Sequence, residues 1–218
     1  MQINSLSNKF VYSKNKDSDK LMIVLHGLGD SSNGYKWLPK TLNLPELNYL
    51  FLDAPDQYYE GYSWYKIPEG KIKNRLSDLE IQSVKRSRDL LWETLEEIQE
   101  QGTSINDVFL FGFSQGCVMS LELCLRYPKV FAGICGISGY LFNPLAIEED
   151  LSAKAKLQNI LITHGQYDDL IPIKRVNQGV DFLRQLGLKV RFEKYPKAHT
   201  IDPYEELSLI REWIVKSI

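Results

Sequence analysis

What most constrains the fold of this 218-residue chain is an alternation running along nearly its whole length: short, apolar, β-branched runs trade places with longer amphipathic ones. The strand candidates are Lys9–Ser13, Leu21–Leu25, Asn48–Leu52, Asp107–Phe111, Phe131–Ile137, Asn159–Thr163 and Lys189–Tyr195. Several are apolar almost throughout, as a strand covered on both faces must be. Between them, Leu79–Gln101 carries Ile81, Val84, Leu91, Leu95 and Ile98 at three- and four-residue steps or their sums, then meets Gly102, a good helix stop. Further helices are predicted over Gln115–Arg126, over Lys174–Leu186 before Gly187, and over Pro203–Lys216. The last has Asp202 as N-cap, Pro203 in first position and two glutamates, Glu205 and Glu206, near its positive end. Strands alternating with helices need crossover connections, so the predicted class is α/β: a mainly parallel sheet with helices on both faces. In such sheets the chemistry collects at the carboxyl ends of the strands.

Composition narrows the function classes. With 44% apolar and 25% charged residues the chain is an ordinary globular protein, and no repeat or composition shift divides it, so one domain over 1–218 is expected. Lys+Arg 26 against Asp+Glu 28 excludes the strongly basic balance of a nucleic-acid binder. Cys117, Cys124 and Cys135 are an odd set without CxxC spacing, which speaks against a disulfide framework or a zinc site and for a reducing, cytoplasmic compartment. Residues 1–20 lack the apolar core of a signal peptide, and Leu21–Leu25 is too short to cross a bilayer, so no integral membrane segment is expected.

One stretch fits neither period. Asp53–Ser77 holds Pro55, Gly61, Pro68 and Gly70 together with Tyr58, Tyr59, Tyr62, Trp64 and Tyr65. Either it is a surface loop whose aromatics cover a sheet edge, or it walls a small-molecule pocket; aromatic-lined concavities favour the second.

The chemistry begins at Gly112-Phe113-Ser114-Gln115-Gly116, a G-x-S-x-G directly after a predicted strand and directly before a predicted helix. A serine in that sharp turn adopts a strained backbone and stands above the sheet edge, with the Gln115 N–H at the helix start where an oxyanion would develop. A serine hydroxyl needs a base to take its proton. Of the three histidines, His26 and His164 lie at strand ends and read as hydrogen-bonded structural residues. His199 lies between the final strand and the final helix, a position that can reach across to the serine, and an imidazole's ordinary pKa near about 6.5 suits proton transfer at neutral pH. The base in turn needs a carboxylate to fix its tautomer. Asp168 and Asp169 both follow the Asn159–Thr163 strand, and spacing leaves the choice between them open. The order serine, aspartate, histidine is that of the α/β-hydrolase triad. His26-Gly27-Leu28-Gly29-Asp30 follows an early strand, and the Leu28 N–H is the candidate for a second oxyanion donor. Cys117 and Cys124 read as packing residues.

Taken together, L-H-G-L-G-D (Leu25–Asp30), S-W-Y (Ser63–Tyr65), G-F-S-Q-G, H-G-x-x-D-x-x-I-P (His164–Pro172) and the late His199 resemble the acyl-protein thioesterase/carboxylesterase family of small α/β hydrolases. The resemblance covers about Leu21 to Trp213. It implies an α/β-hydrolase fold without a large cap domain, a Ser114–Asp168–His199 triad, and oxyanion donors at Leu28 and Gln115. It also implies a shallow acyl channel, whose expected lining is Leu28, Trp64, Tyr65 and Ile171. Neither cofactor nor metal is implied. Expected partners are a small-molecule or lipid acyl ester or thioester, or an acylated protein, with the chain a monomer or homodimer. The alternatives are a lysophospholipase or short-chain esterase with no protein-thioesterase role, and a non-catalytic binding protein on the same scaffold. The chain departs from the family's usual pattern at Lys66 after S-W-Y, at Ala198 before the histidine, and in a short, tyrosine-rich Pro55–Tyr62.

Overall fold

The computed structural model describes residues 1–67 and 76–218; Pro68 and Gly70 of the Asp53–Ser77 stretch lie outside these. In chain order the main elements are β1 (Asn8–Val11), β2 (Leu21–Leu25), α1 (Leu38–Leu42), β3 (Asn48–Leu52), β4 (Asp56–Tyr58), β5 (Gly61–Ser63), α2 (Asp78–Glu100), β6 (Val108–Phe113), α3 (Gln115–Cys124), β7 (Gly133–Ile137), α4 (Pro144–Glu149), β8 (Ile160–Gly165), α5 (Ile173–Gln185), β9 (Val190–Tyr195) and α6 (Glu205–Val215). Seven strands form one sheet in the order β1-β3-β2-β6-β7-β8-β9. Only β1 runs antiparallel to its neighbour in that sheet; the pairs from β3 through β9 are parallel.

Strand parity sorts the core into two layers, because successive side chains leave a strand on opposite faces. Leu21, Ile23 and Leu25 pack with Val84, Leu91 and Leu95 of α2, Val118 and Leu121 of α3, and Val176 and Val180 of α5. Met22 and Val24 pack on the other face with Leu38 and Leu42 of α1 and Leu207, Ile210 and Ile214 of α6. Two covered faces explain why the central strands read as unbroken apolar runs.

The connections put a topological switch point at the middle of the sheet. From β2 the chain steps to β3 on one side and then crosses to β6 on the other, so the loops after β2 and β6 open beside each other, with Leu25 registered against Gly112. That crevice is where open α/β sheets hold ligands. The loops after the adjacent strands β8 and β9 emerge at the same end of the sheet.

Three expectations need correction. The Asp53–Ser77 stretch is not without structure: it contains the antiparallel hairpin β4–β5, whose three-residue strands are too short to show a period. The last helix starts at Glu205 rather than Pro203, because Tyr204 sits at φ −106°, ψ −84°, outside the helical region. Asp202 still caps this entry, its Oδ1 accepting the N–H groups of Tyr204 at 2.9 Å and Glu205 at 2.8 Å. The short helices α1 and α4 were not expected; each has proline in its first turn and little more than one turn of sequence to reveal it.

Candidate active site

Ser114 occupies the turn between β6 and α3 at φ 54°, ψ −115°, a left-handed conformation that costs a non-glycine residue of order 1–3 kcal/mol. Close packing dictates this corner. A Cβ on Gly116 would lie 2.0 Å from the Leu25 carbonyl oxygen, and one on Gly112 would lie 2.3 Å from that of Gly116. The Ser114 N–H donates to Ile137 O at 2.9 Å, tying the turn to β7. Serine before a helix ordinarily caps it, but the Ser114 side chain makes no cap bond; its Oγ lies 3.0 Å from His199 Nε2 instead.

On the other side of the ring, His199 Nδ1 is 2.7 Å from Asp168 Oδ2. A carboxylate only accepts, so Nδ1 carries the proton and the Nε2 lone pair faces the Ser114 hydroxyl, which donates. Asp168 is held from behind: its Oδ1 accepts the N–H groups of Leu170 at 3.0 Å and Ile171 at 2.8 Å. It is buried, whereas Asp169 is exposed, which separates the two aspartates that spacing left open. The Phe113 ring packs on the imidazole with centroids 5.0 Å apart.

The two candidate oxyanion donors share one support. Gly29 N–H donates to Tyr62 O and Asp30 N–H to Gly27 O, whereas the Leu28 N–H just before them has no protein acceptor among the described residues. The Gln115 N–H likewise has none there. The Gln115 side chain, buried, accepts the Ser63 hydroxyl of β5 at 3.3 Å and the Trp64 N–H just after β5 at 2.9 Å and donates to Tyr65 O at 2.9 Å, while Tyr62 within β5 pairs with Asp30. So β5 ties the Leu28 loop to the start of α3. Sequence reasoning used only the backbone of Gln115; the buried clasp of its side chain has no signal in a lone polar residue.

The remaining histidines are structural. His26 Nδ1 donates to Gly27 O at 2.6 Å and Nε2 accepts the Ala54 N–H at 3.1 Å, which requires the neutral ring, and burial lowers its pKa below the ordinary value. His164 Nε2 donates to Ile171 O at 2.8 Å and lies 3.5 Å from Asp168 Oδ2, and here too burial lowers the pKa. All three cysteines are buried free thiols, and burial pushes Cys117 up to about 12, far from a usable thiolate.

The expected channel lining is only partly exposed. Trp64 is 0% exposed, its indole N–H donating to His26 O at 3.0 Å, so it braces the Leu28 loop from beneath and offers no surface to a ligand. Tyr65 is also buried, its hydroxyl 3.1 Å from that of Tyr140, and Ile171 is 8% exposed. Leu28 is half-buried. A separate cavity of about 560 Å³, lined by Ser104, Asn106, Lys129 and Lys154, opens at the amino ends of the strands, away from Ser114. Among the described residues no three His, Cys, Asp or Glu side chains gather as a metal-ligand set, and no helix is long and apolar enough to cross a membrane.

A family model described as phospholipase/carboxylesterase matches residues 6–218. This chain belongs to the phospholipase/carboxylesterase family. Among relatives of this family member, a rice protein (Oryza sativa subsp. japonica) named probable inactive carboxylesterase Os04g0669700 is 30% identical over 208 residues, covering 90% of this chain and 84% of its own. Acyl-protein thioesterase 1 of Yarrowia lipolytica is 31% identical over 216 residues, covering 90% and 91%. The crystal structure of Arabidopsis thaliana SOBER1 superposes with a TM-score of 0.81 at 27% identity, over 91% of this chain and 98% of that one. The fold is accordingly the α/β-hydrolase fold expected from the sequence: a mostly parallel seven-stranded sheet flanked by helices, without a cap domain among the described residues.

Proposed function

We propose that this family member is an active serine hydrolase cleaving carboxylic esters or thioesters through an acyl-enzyme on Ser114, working as one domain over 1–218. The observation that carries the reading is the continuous path from Asp168 Oδ2 through His199 to Ser114 Oγ, with both links at hydrogen-bond distance, 2.7 and 3.0 Å. His199 Nε2 takes the Ser114 proton as Oγ attacks the acyl carbon, and Asp168 stabilises the imidazolium. The N–H groups of Leu28 and Gln115 receive the oxyanion, each worth about 3–4 kcal/mol in the transition state. His199 returns the proton to the departing alkoxide or thiolate, then activates the water that releases the acid and frees Ser114. Asp168, rather than Asp169, orients the ring.

The three buried free thiols support a reducing, cytoplasmic setting. A second reading, a hydrolase scaffold without activity, is favoured by the name of the rice relative. Against it stands the Ser114 side chain, which makes no helix-cap bond in its strained turn and instead holds its Oγ 3.0 Å from His199 Nε2. The test is hydrolysis of a chain-length series of acyl esters and matching thioesters, compared by kcat/KM, in wild type and Ser114→Ala. Turnover by wild type alone supports the hydrolase; its absence from both, in folded protein, favours the scaffold. Preference within the series separates a short-chain esterase from a long-chain lysophospholipase or thioesterase.

A further inference from the structure

A buried ion pair that this reaction scheme does not use lies against the His199 loop. The Lys197 ammonium donates to both carboxylate oxygens of Glu206, at 2.5 and 2.6 Å, and to the carbonyl of Thr200 at 2.6 Å. All three of its protons are therefore used. Lys197 is 8% exposed, and Glu206, in the first turn of α6, is 0% exposed. Glu206 Oε2 also accepts the Asp202 N–H at 2.7 Å, so the pair grips the chain on the far side of His199 as well.

The Lys197 backbone is fastened in the other direction. Its carbonyl accepts the Tyr167 N–H at 3.1 Å, one residue before Asp168. The end of β8 leaves no slack beneath it: a Cβ on Gly165 would lie 2.4 Å from Lys197 O. Through Thr200 and Tyr167, this one lysine is bonded to the immediate neighbours of both His199 and Asp168.

Taking two charges out of water costs several kcal/mol per ion, and apolar residues of similar volume commonly hold a fold as well or better. What a charged pair adds is direction, since three short bonds fix a loop where apolar contact lets it slide. We propose that the Lys197–Glu206 pair is a positioning device that holds the imidazole of His199 on Ser114 Oγ. The proposal rests on the serine-hydrolase reading above.

The test is the double variant Lys197→Met/Glu206→Met, which removes both charges and leaves neither one stranded. A merely structural pair predicts a changed melting temperature with kcat per folded molecule intact. A positioning pair predicts that kcat falls about 10–100-fold, the scale of a misplaced reacting group. KM should stay within about twofold, because the pair does not touch the acyl site, and the fluorophosphonate labelling rate should fall with kcat. Should the double variant not fold, Glu206→Asp keeps both charges and shortens one arm by a methylene; it should lower kcat at unchanged KM. A folded variant of either kind with wild-type kcat and labelling rate overturns the proposal. If the wild-type protein neither turns over substrate nor takes up the probe, the hydrolase reading falls and this one with it; if wild type and double variant label equally, only the positioning role falls.

Discussion

The side-chain amide of Gln115 clasps the backbone beside Trp64: its Oε1 accepts the Trp64 N–H at 2.9 Å and its Nε2 donates to the next carbonyl, Tyr65 O, at 2.9 Å. A residue whose own N–H faces the candidate oxyanion site thereby anchors the hairpin that holds the other donor loop. Gln115→Ala would strand the buried Trp64 N–H, at a cost of about 1–3 kcal/mol, while Tyr65 O would keep the Ser63 hydroxyl, which donates to it at 2.7 Å. The expected outcome is a clear fall in the urea midpoint together with reduced kcat; an unchanged midpoint would show that the clasp is dispensable.

The two adjacent aspartates give a sharp contrast. Asp168 is buried and bonded to the ring, while Asp169 is exposed. Asp168→Asn removes the group that fixes the His199 tautomer and should depress kcat by about 10⁴-fold, whereas Asp169→Asn should stay near wild type. Steady-state kinetics on the pair decides, and the reverse ranking would overturn the assignment.

Two glycines differ in why they are glycine. Gly102, at φ 94° with nothing within 4 Å of the point where a methyl group would stand, ends α2 purely by its backbone conformation. Gly102→Ala should cost about 1–2 kcal/mol and leave activity unchanged. Gly116→Ala would drive a methyl into the backbone of β2, 2.0 Å from Leu25 O, and should abolish soluble, active protein. Equal tolerance of both by expression yield and thermal melting would contradict the packing described for the serine turn.

Acid sensitivity follows from the buried histidines. Burial lowers the pKa of His26 and of His164, so the unfolded chain, where an imidazole has its ordinary value near about 6.5, binds the proton more readily than the fold does. Their contribution to stability is complete above that ordinary value and is lost as pH falls below it toward the lowered folded values. Each adds a slope of at most about 1.4 kcal/mol per pH unit. Urea midpoints measured from pH 7.5 to 5.5 should fall on acidification, and His26→Gln should flatten the slope; an identical slope in that variant would contradict the account.

How much of this was legible in the sequence depends on the range of the interaction. Strands β2, β3 and β6 to β8 are legible because both faces are covered, unlike the edge strand β9, whose Arg191 and Lys194 are exposed, and α2 and α5 because a 3.6-residue stripe ends at Gly102 and Gly187, both at positive φ. The hairpin β4–β5 and the helix α1 stayed hidden because three to five residues cannot establish a period. Strand ends point to Ser114, His199 and the aspartate pair; spacing leaves Asp168 and Asp169 open, the family resemblance picks Asp168, and the structure buries it with Oδ2 2.7 Å from His199 Nδ1. Trp64 illustrates the converse: an aromatic in a loop-like stretch reads as pocket wall, yet it is a bracing residue with its indole spent on His26 O. Lys197 and Glu206 look like surface charges in sequence, and only the return of α6 against the His199 loop brings them together.

The central claim is tested most directly by incubating folded protein with a fluorophosphonate probe and mapping the product by mass spectrometry. An active Ser114 predicts a single covalent adduct on the peptide containing that residue, lost in Ser114→Ala and greatly slowed in His199→Ala. No adduct on folded wild-type protein, or an adduct that survives Ser114→Ala, would contradict it.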